Sequence, residues 1–256
     1  VAKADMVTKV DGSRPVALVT GASEGIGRVI ATTLAGHGYR VAAAARSTAR
    51  LVELSADLDV VPITLDVTDP EAVAVAVALV ESAVGPIDLL VNNAGVGGHS
   101  GPTWEYNPDE WWQIMEVNVR GTFLCSHAVL GSMVARRSGR IVNLSSGAAA
   151  FEIPSDFDAL INSSYMASKA AVSRFTEALA AEARSSGVTA FAISPGMVKT
   201  NMTRVAFEDD AEDDELWSPP ELAAELIALI GSGALDEHSG RYIHVELDDW
   251  RSMATS

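Results

Sequence analysis

The sequence predicts an α/β fold, a doubly wound parallel sheet of about seven strands with helices on both faces. Three observations predict it. Short apolar runs alternate with longer segments of helical period from Val16 to the C-terminal region. The runs are apolar at every position rather than at every second one, which suits strands covered on both faces. No internal repeat and no Pro/Ser-rich linker interrupts the alternation. Residues 15–256 therefore read as a single domain, preceded by a disordered tail over 1–14 and carrying a lid region at about 200–218.

The elements follow in order. Val16 to Val19 is the first strand, ending at Thr20-Gly21. Ile26, Ile30 and Leu34 then recur at helical spacing, and Gly36 and Gly38 close that helix. Val41 to Ala45 is a second strand, and Leu51, Leu54 and Leu58 mark a short helix after it. Val60 to Leu65 and Leu89 to Val91 are the third and fourth strands. Between them, the length of the Ala/Val-rich stretch from Glu71 to Val84 favours helix. A long helix is expected over Asp109 to Val134, a strand over Arg140 to Leu144, a helix over Tyr165 to Arg184 and a strand over Val188 to Ser194. The acidic run Glu208 to Glu215 reads as a solvated loop. Ser218 reads as an N-cap, with Pro219 at the first helical position and Glu221 three residues after the cap. That helix should stop near Gly231, and Arg241 to Val245 is the last strand.

Composition narrows the function. A formal net charge of -16 would repel a phosphate backbone, so nucleic acid is not an expected partner. No apolar run is long enough for a membrane span, and Val1 to Arg14 lacks the apolar core of a signal peptide. Cys125 is the only cysteine, so no intrachain disulfide forms, and a cytoplasmic location is expected. The five histidines have no metal-ligand spacing, so no metal is expected.

The chemistry-bearing segments sit at strand ends. Thr20-Gly21-Ala22-Ser23-Glu24-Gly25-Ile26-Gly27 joins the first strand to a helix. Glycines let the backbone turn sharply there, and the helix N-terminus offers unpaired N–H groups to a pyrophosphate. Tyr165 and Lys169 lie four apart on a predicted helix and so share one face. A phenol with a pKa near 10 is a poor base, and lowering it by about three units takes about 4 kcal/mol of phenolate stabilisation. A neighbouring ammonium is the right type of group for that task.

The spacing of Gly21, Gly25 and Gly27 resembles the short-chain dehydrogenase/reductase family, whose fold is of the Rossmann type. Further motifs appear in that family's order: Asp66-Val67, Asn92-Asn93-Ala94-Gly95, Asn118, Ser145-Ser146, Tyr165 to Lys169, and Pro195-Gly196-Met197-Val198-Lys199-Thr200. The resemblance covers roughly Val16 to Val245. It implies a catalytic set of Asn118, Ser146, Tyr165 and Lys169, with Tyr165 as general acid/base and Asn118 holding a water beside Lys169. It implies nucleotide contacts from Gly21, Ser23, Glu24, Gly25, Ile26, Gly27, Arg46, Asp66, Val67, Asn93, Ala94, Gly95, Tyr165, Lys169, Pro195, Gly196, Val198 and Thr200. It also implies a homodimer or homotetramer, and a small carbonyl or alcohol as substrate. One departure is that the stretch from Ser146 to Tyr165 is several residues longer than usual in the family, which predicts an added loop over the substrate.

Nucleotide choice is a contest of charges. Relatives preferring NAD end the second strand in an acidic residue, whereas this chain has Ala45 followed by Arg46. A charged hydrogen bond from Arg46 to a 2′-phosphate is worth about 1.5–3 kcal/mol. Glu24 opposes it, since a like charge about 6 Å away costs about 0.7–3 kcal/mol. The missing carboxylate at Ala45 tips the expectation to NADP(H) over NAD(H). The rival reading from another class is a non-catalytic nucleotide sensor. Lyases, epimerases and enoyl reductases of related fold fit less well, because they differ in their glycine or Tyr/Lys spacing.

Overall fold

The computed structural model describes residues 13–55, 59–98, 101–150, 162–206 and 217–254. Seven strands form one sheet: β1 (Val16–Thr20), β2 (Arg40–Ala45), β3 (Val60–Thr64), β4 (Ile87–Asn92), β5 (Gly139–Leu144), β6 (Val188–Ser194) and β7 (Tyr242–His244). All neighbours are parallel, in the order β3-β2-β1-β4-β5-β6-β7. The chain winds outward from β1 to β3 and returns to lay β4 on the other side of β1. A crevice opens at this switch point, beyond the carboxyl ends of β1 and β4.

Side-chain alternation divides the interior into two layers. Ala17, Val19, Val41, Val91, Phe191 and Ile193 face α1 (Gly25–Gly36) and α8 (Pro220–Ser232). Leu18, Ala42, Leu90, Ile141 and Ala190 face α3 (Pro70–Ala83), α5 (Thr122–Arg136) and α6 (Ser163–Ala183). Covering both faces explains why the strands are apolar at every position. The shorter helices are α2 (Thr48–Ser55), α4 (Pro108–Met115), α7 (Asn201–Ala206) and α9 (Trp250–Met253). Among the described residues, no helix is long and apolar enough to cross a membrane.

Two expectations need correction. The long helix over Asp109 to Val134 is α4 and α5 joined by a π-helical turn, Glu116–Gly121. The wide turn surrounds Asn118, whose carbonyl accepts a hydrogen bond from Thr122 Oγ1 at 2.8 Å. π turns of this kind interrupt helices mostly at functional positions. Ser218 does not cap α8, because Pro219 holds the cap position and Pro220 starts the helix. Ser218 is instead bound to the turn after β6. Its N–H donates to Met197 O at 2.7 Å, and its Oγ accepts from Met197 N at 3.1 Å. The added loop expected before Tyr165 and the acidic run lie outside the described residues, as does most of the N-terminal tail.

Candidate active site

The floor of the crevice is an interlock between the glycine loop and the segment after β4. Thr20 Oγ1 accepts from the backbone N–H groups of Asn93 and Ala94, both at 3.1 Å. Asn93 Nδ2 returns hydrogen bonds to Thr20 O at 2.9 Å and Gly21 O at 3.1 Å. The fit requires glycine. A Cβ on Gly27 would sit 2.3 Å from Gly21 O and 2.4 Å from Asn93 Nδ2, while Gly21 has φ +66°. The two asparagines of the NNAG segment therefore divide the work. Asn92 is buried and donates to Asn143 Oδ1 at 2.8 Å and Ser126 Oγ at 3.0 Å, joining β4 to β5 and α5.

Above this floor lies a cleft of about 570 Å³. Every residue expected to touch a nucleotide lines it, from Gly21 at one side to Thr200 at the other. Asp66 sits at one end, its carboxylate held below the usual range by hydrogen bonds from the backbone and hydroxyl of Thr68. The opposite wall is the start of α6, where Tyr165 and Lys169 enter the cleft beside Ser146. A cleft of this volume with a glycine-rich floor and a helix N-terminus fits a dinucleotide.

Asn162 explains why α6 starts where it does. Its side chain caps the helix, accepting from Tyr165 N at 3.0 Å, and also accepts from Tyr106 OH at 3.0 Å. Trp111 Nε1 donates to Ser163 Oγ at 3.1 Å, so α4 and the turn before it are pinned to the same helix end. Trp104 and Trp112 are exposed and take no part in this contact.

Burial governs the electrostatics of the pair. It raises the Tyr165 phenol above its ordinary value of 10.0, against the lowering effect of a hydrogen bond with Ser146, with Tyr242 raising it further. It pulls Lys169 from 10.5 to about 8. Lys169 Nζ donates to Leu144 O at 2.7 Å and lies 5.6 Å from the centre of the Tyr165 ring. The ammonium of Lys169 was the group expected to lower the phenol. In this structure burial raises the phenol, and the group that lowers it is the Ser146 hydroxyl rather than Lys169.

Asn118 does not line the cleft. It is buried behind the wall, where Oδ1 accepts from Val96 N at 2.8 Å and Nδ2 donates to Val96 O at 3.0 Å and Ser168 Oγ at 2.9 Å. Ser168, one residue before Lys169, donates in turn to Tyr165 O at 2.7 Å. Of the serine pair, Ser145 directs its hydroxyl to Lys169 O and Ser173, whereas Ser146 Oγ accepts from Ala148 N.

Sequence reasoning missed four residues: Arg50, Asn162, Ser168 and Asn201. Asn162 was detectable as a capping residue three positions before Tyr165. Arg50 and Asn201 gave no such signal, because only the fold brings both to Glu24. Among the described residues, no group of three or more His, Cys, Asp or Glu side chains could hold a metal.

The comparisons agree with this geometry. The family model described as short chain dehydrogenase matches residues 15–211. A short chain dehydrogenase of Pseudocercospora fijiensis is 39% identical over 193 residues, which are 73% of this chain and 60% of that protein's length. The 3-oxoacyl-[acyl-carrier-protein] reductase of Salmonella typhimurium is 33% identical over 239 residues, 90% of this chain and 95% of the relative. Among solved structures, a variant of actinorhodin polyketide ketoreductase with NADPH superposes with a TM-score of 0.82 at 32% identity, covering 93% of this chain and 97% of that one.

Proposed function

Because this chain belongs to the short-chain dehydrogenase/reductase family, nicotinamide-dependent oxidoreductases, we propose that it interconverts a carbonyl and a secondary alcohol with NADP(H), using Tyr165 as the general acid/base. The observation that carries the reading is the convergence of Ser146, Tyr165 and Lys169 on one wall of a cleft whose floor is the glycine loop. A bound nicotinamide would supply or accept the hydride at that wall. The chain's own residues do the rest. Ser146 orients the substrate oxygen, and Tyr165 gives it a proton or takes one. A phenol raised above 10.0 is protonated at neutral pH, which is the form that reduction of a carbonyl uses. Lys169, anchored on Leu144 O, keeps two further N–H donors for a ribose. Asn118 acts through Val96 and Ser168 to keep the segment after β4 in register with α6.

The preference for NADP(H) is supported by Arg46 at the adenosine end and by Ala45, which offers nothing to a ribose diol. The ketoreductase relative carrying NADPH agrees in kind. A homodimer or homotetramer belongs to the same reading. The test is NADPH oxidation against a panel of ketones and aldehydes, in wild type and in Arg46→Ala. Turnover with NADPH, and a KM for NADPH raised about 10–100-fold by the substitution, are expected. Nucleotide binding without turnover on any carbonyl would favour a sensor.

A further inference from the structure

Arg50 lines the same part of the cleft as Arg46 and Ser47. Its guanidinium pairs with Glu24, the residue that precedes α1. The same carboxylate oxygen, Oε2, accepts a hydrogen bond from Asn201 Nδ2 at 3.0 Å. Glu24 thus ties the glycine loop to α2 on one side and to α7 on the other. The ion pair is about half exposed, with side-chain exposures of 54% for Arg50 and 47% for Glu24. Pairs this wet hold weakly, by a factor of up to about five.

We propose that Glu24 is a stand-in anion that presents Arg50 at the adenosine end of the cleft until the 2′-phosphate of a nucleotide displaces it. Arg50, together with Arg46, then sets the preference for the phosphorylated nucleotide. This inference rests on the reading of the cleft as an NADP(H) site. The magnitudes favour the exchange. A ribose phosphate carries nearly two negative charges near neutral pH and offers three acceptor oxygens. A guanidinium meets it with a planar fork, and such charged hydrogen bonds are worth about 10–100-fold in affinity. That exceeds the factor of about five holding the internal pair. Glu24 is not stranded by the exchange, because Asn201 still donates to it. Before the nucleotide arrives, the pair with Arg50 and the Asn201 amide keep Glu24 from standing in the cleft as a bare charge. Arg50 is a specificity residue on this account, and Glu24 positions it.

The test is calorimetric binding of adenosine 2′,5′-bisphosphate and of 5′-AMP to the full chain, in wild type, Glu24→Gln, Arg50→Ala and the double variant. Wild type is expected to bind the bisphosphate at least about tenfold more tightly. Glu24→Gln should tighten the bisphosphate by up to about fivefold and leave 5′-AMP unchanged. Arg50→Ala should weaken the bisphosphate about 10–100-fold, and by up to about fivefold more when Glu24 is already Gln, because the gain from freeing Arg50 is then lost as well. If Arg50 only neutralises Glu24, its removal has no effect in the Gln background, and the proposal falls while the NADP(H) reading stands. Equal binding of the two nucleotides by wild type overturns the NADP(H) preference and this proposal with it. Failure to bind either one overturns the reading of the cleft itself.

Discussion

Lys169→Met should make the protein more stable while removing its activity. Lys169 is 5% exposed, and burial brings its ammonium from 10.5 to about 8. Holding that charge in the native state near pH 7 costs roughly 3 kcal/mol. Methionine fills a similar space without the charge. It leaves Leu144 O without the donor now at 2.7 Å, a loss of about 1 kcal/mol. The net gain is about 2 kcal/mol near pH 7, or a Tm higher by about 4–8 °C for a chain of this size. The native pKa lies below the unfolded one, so between about 8 and 10.5 the unfolded chain keeps a proton that the native chain has lost. Wild-type stability therefore rises with pH across that window, and the advantage of the variant should shrink to about 1 kcal/mol or less near pH 9.5. Urea melts followed by tryptophan fluorescence at the two pH values, with turnover measured alongside, check this. A variant less stable than wild type near pH 7, or a difference that ignores pH, would refute the account of Lys169 as a buried cation kept for function.

Three further outcomes follow from the same geometry. Tyr165→Phe should lower kcat about 10²–10⁴-fold while the Kd for NADPH, read by fluorescence, stays within about threefold; a residual rate above about a tenth would move the acid/base role elsewhere. Gly27→Ala should abolish nucleotide binding, because the new Cβ would meet Gly21 O at 2.3 Å and Asn93 Nδ2 at 2.4 Å, and an affinity near that of wild type by titration would contradict the interlock. Ser168→Ala should destabilise the chain by about 1–3 kcal/mol in urea, since Asn118 Nδ2 loses a buried acceptor, and an unchanged midpoint would show that this link holds nothing together.

The sheet and most of its helices were legible because apolar runs and helical periods carry the fold directly. The number of strands and their parallel winding were expected, whereas the spatial order β3-β2-β1-β4-β5-β6-β7 became visible only in the folded chain. What escaped prediction depended on partners far away in sequence. The period of Asp109 to Val134 is helical throughout, and nothing in it marks the π turn, whose Asn118 is bound to Val96, 22 residues earlier. Ser218 has the local pattern of a cap, yet the Pro195-Gly196 turn claims it, 21 residues away. The position of Tyr165 in the cleft was legible, but the direction of its shift was not, because burial is a property of the assembled fold. The pairing of Glu24 with Arg50 spans 26 residues, so Glu24 is not the bare charge that its place in the glycine loop suggested.

The seam between β1 and β4 also bears on how the chain reaches its native state. Leu18 pairs with Leu90, and the contacts of Thr20 with Asn93 and Ala94 span 73 and 74 residues. Joining segments so far apart requires a large loop to close before any contact repays it, which makes parallel sheets slow to fold. The nucleotide cleft lies across this long-range seam. A dinucleotide spanning it binds only the closed form and so stabilises it in proportion to RT ln(1 + [L]/Kd), about 2.7 kcal/mol at a hundredfold excess over Kd. The cofactor pool would then act on this chain as a maturation factor: newly made copies that meet nucleotide reopen less often, and starved ones are the first exposed to proteolysis.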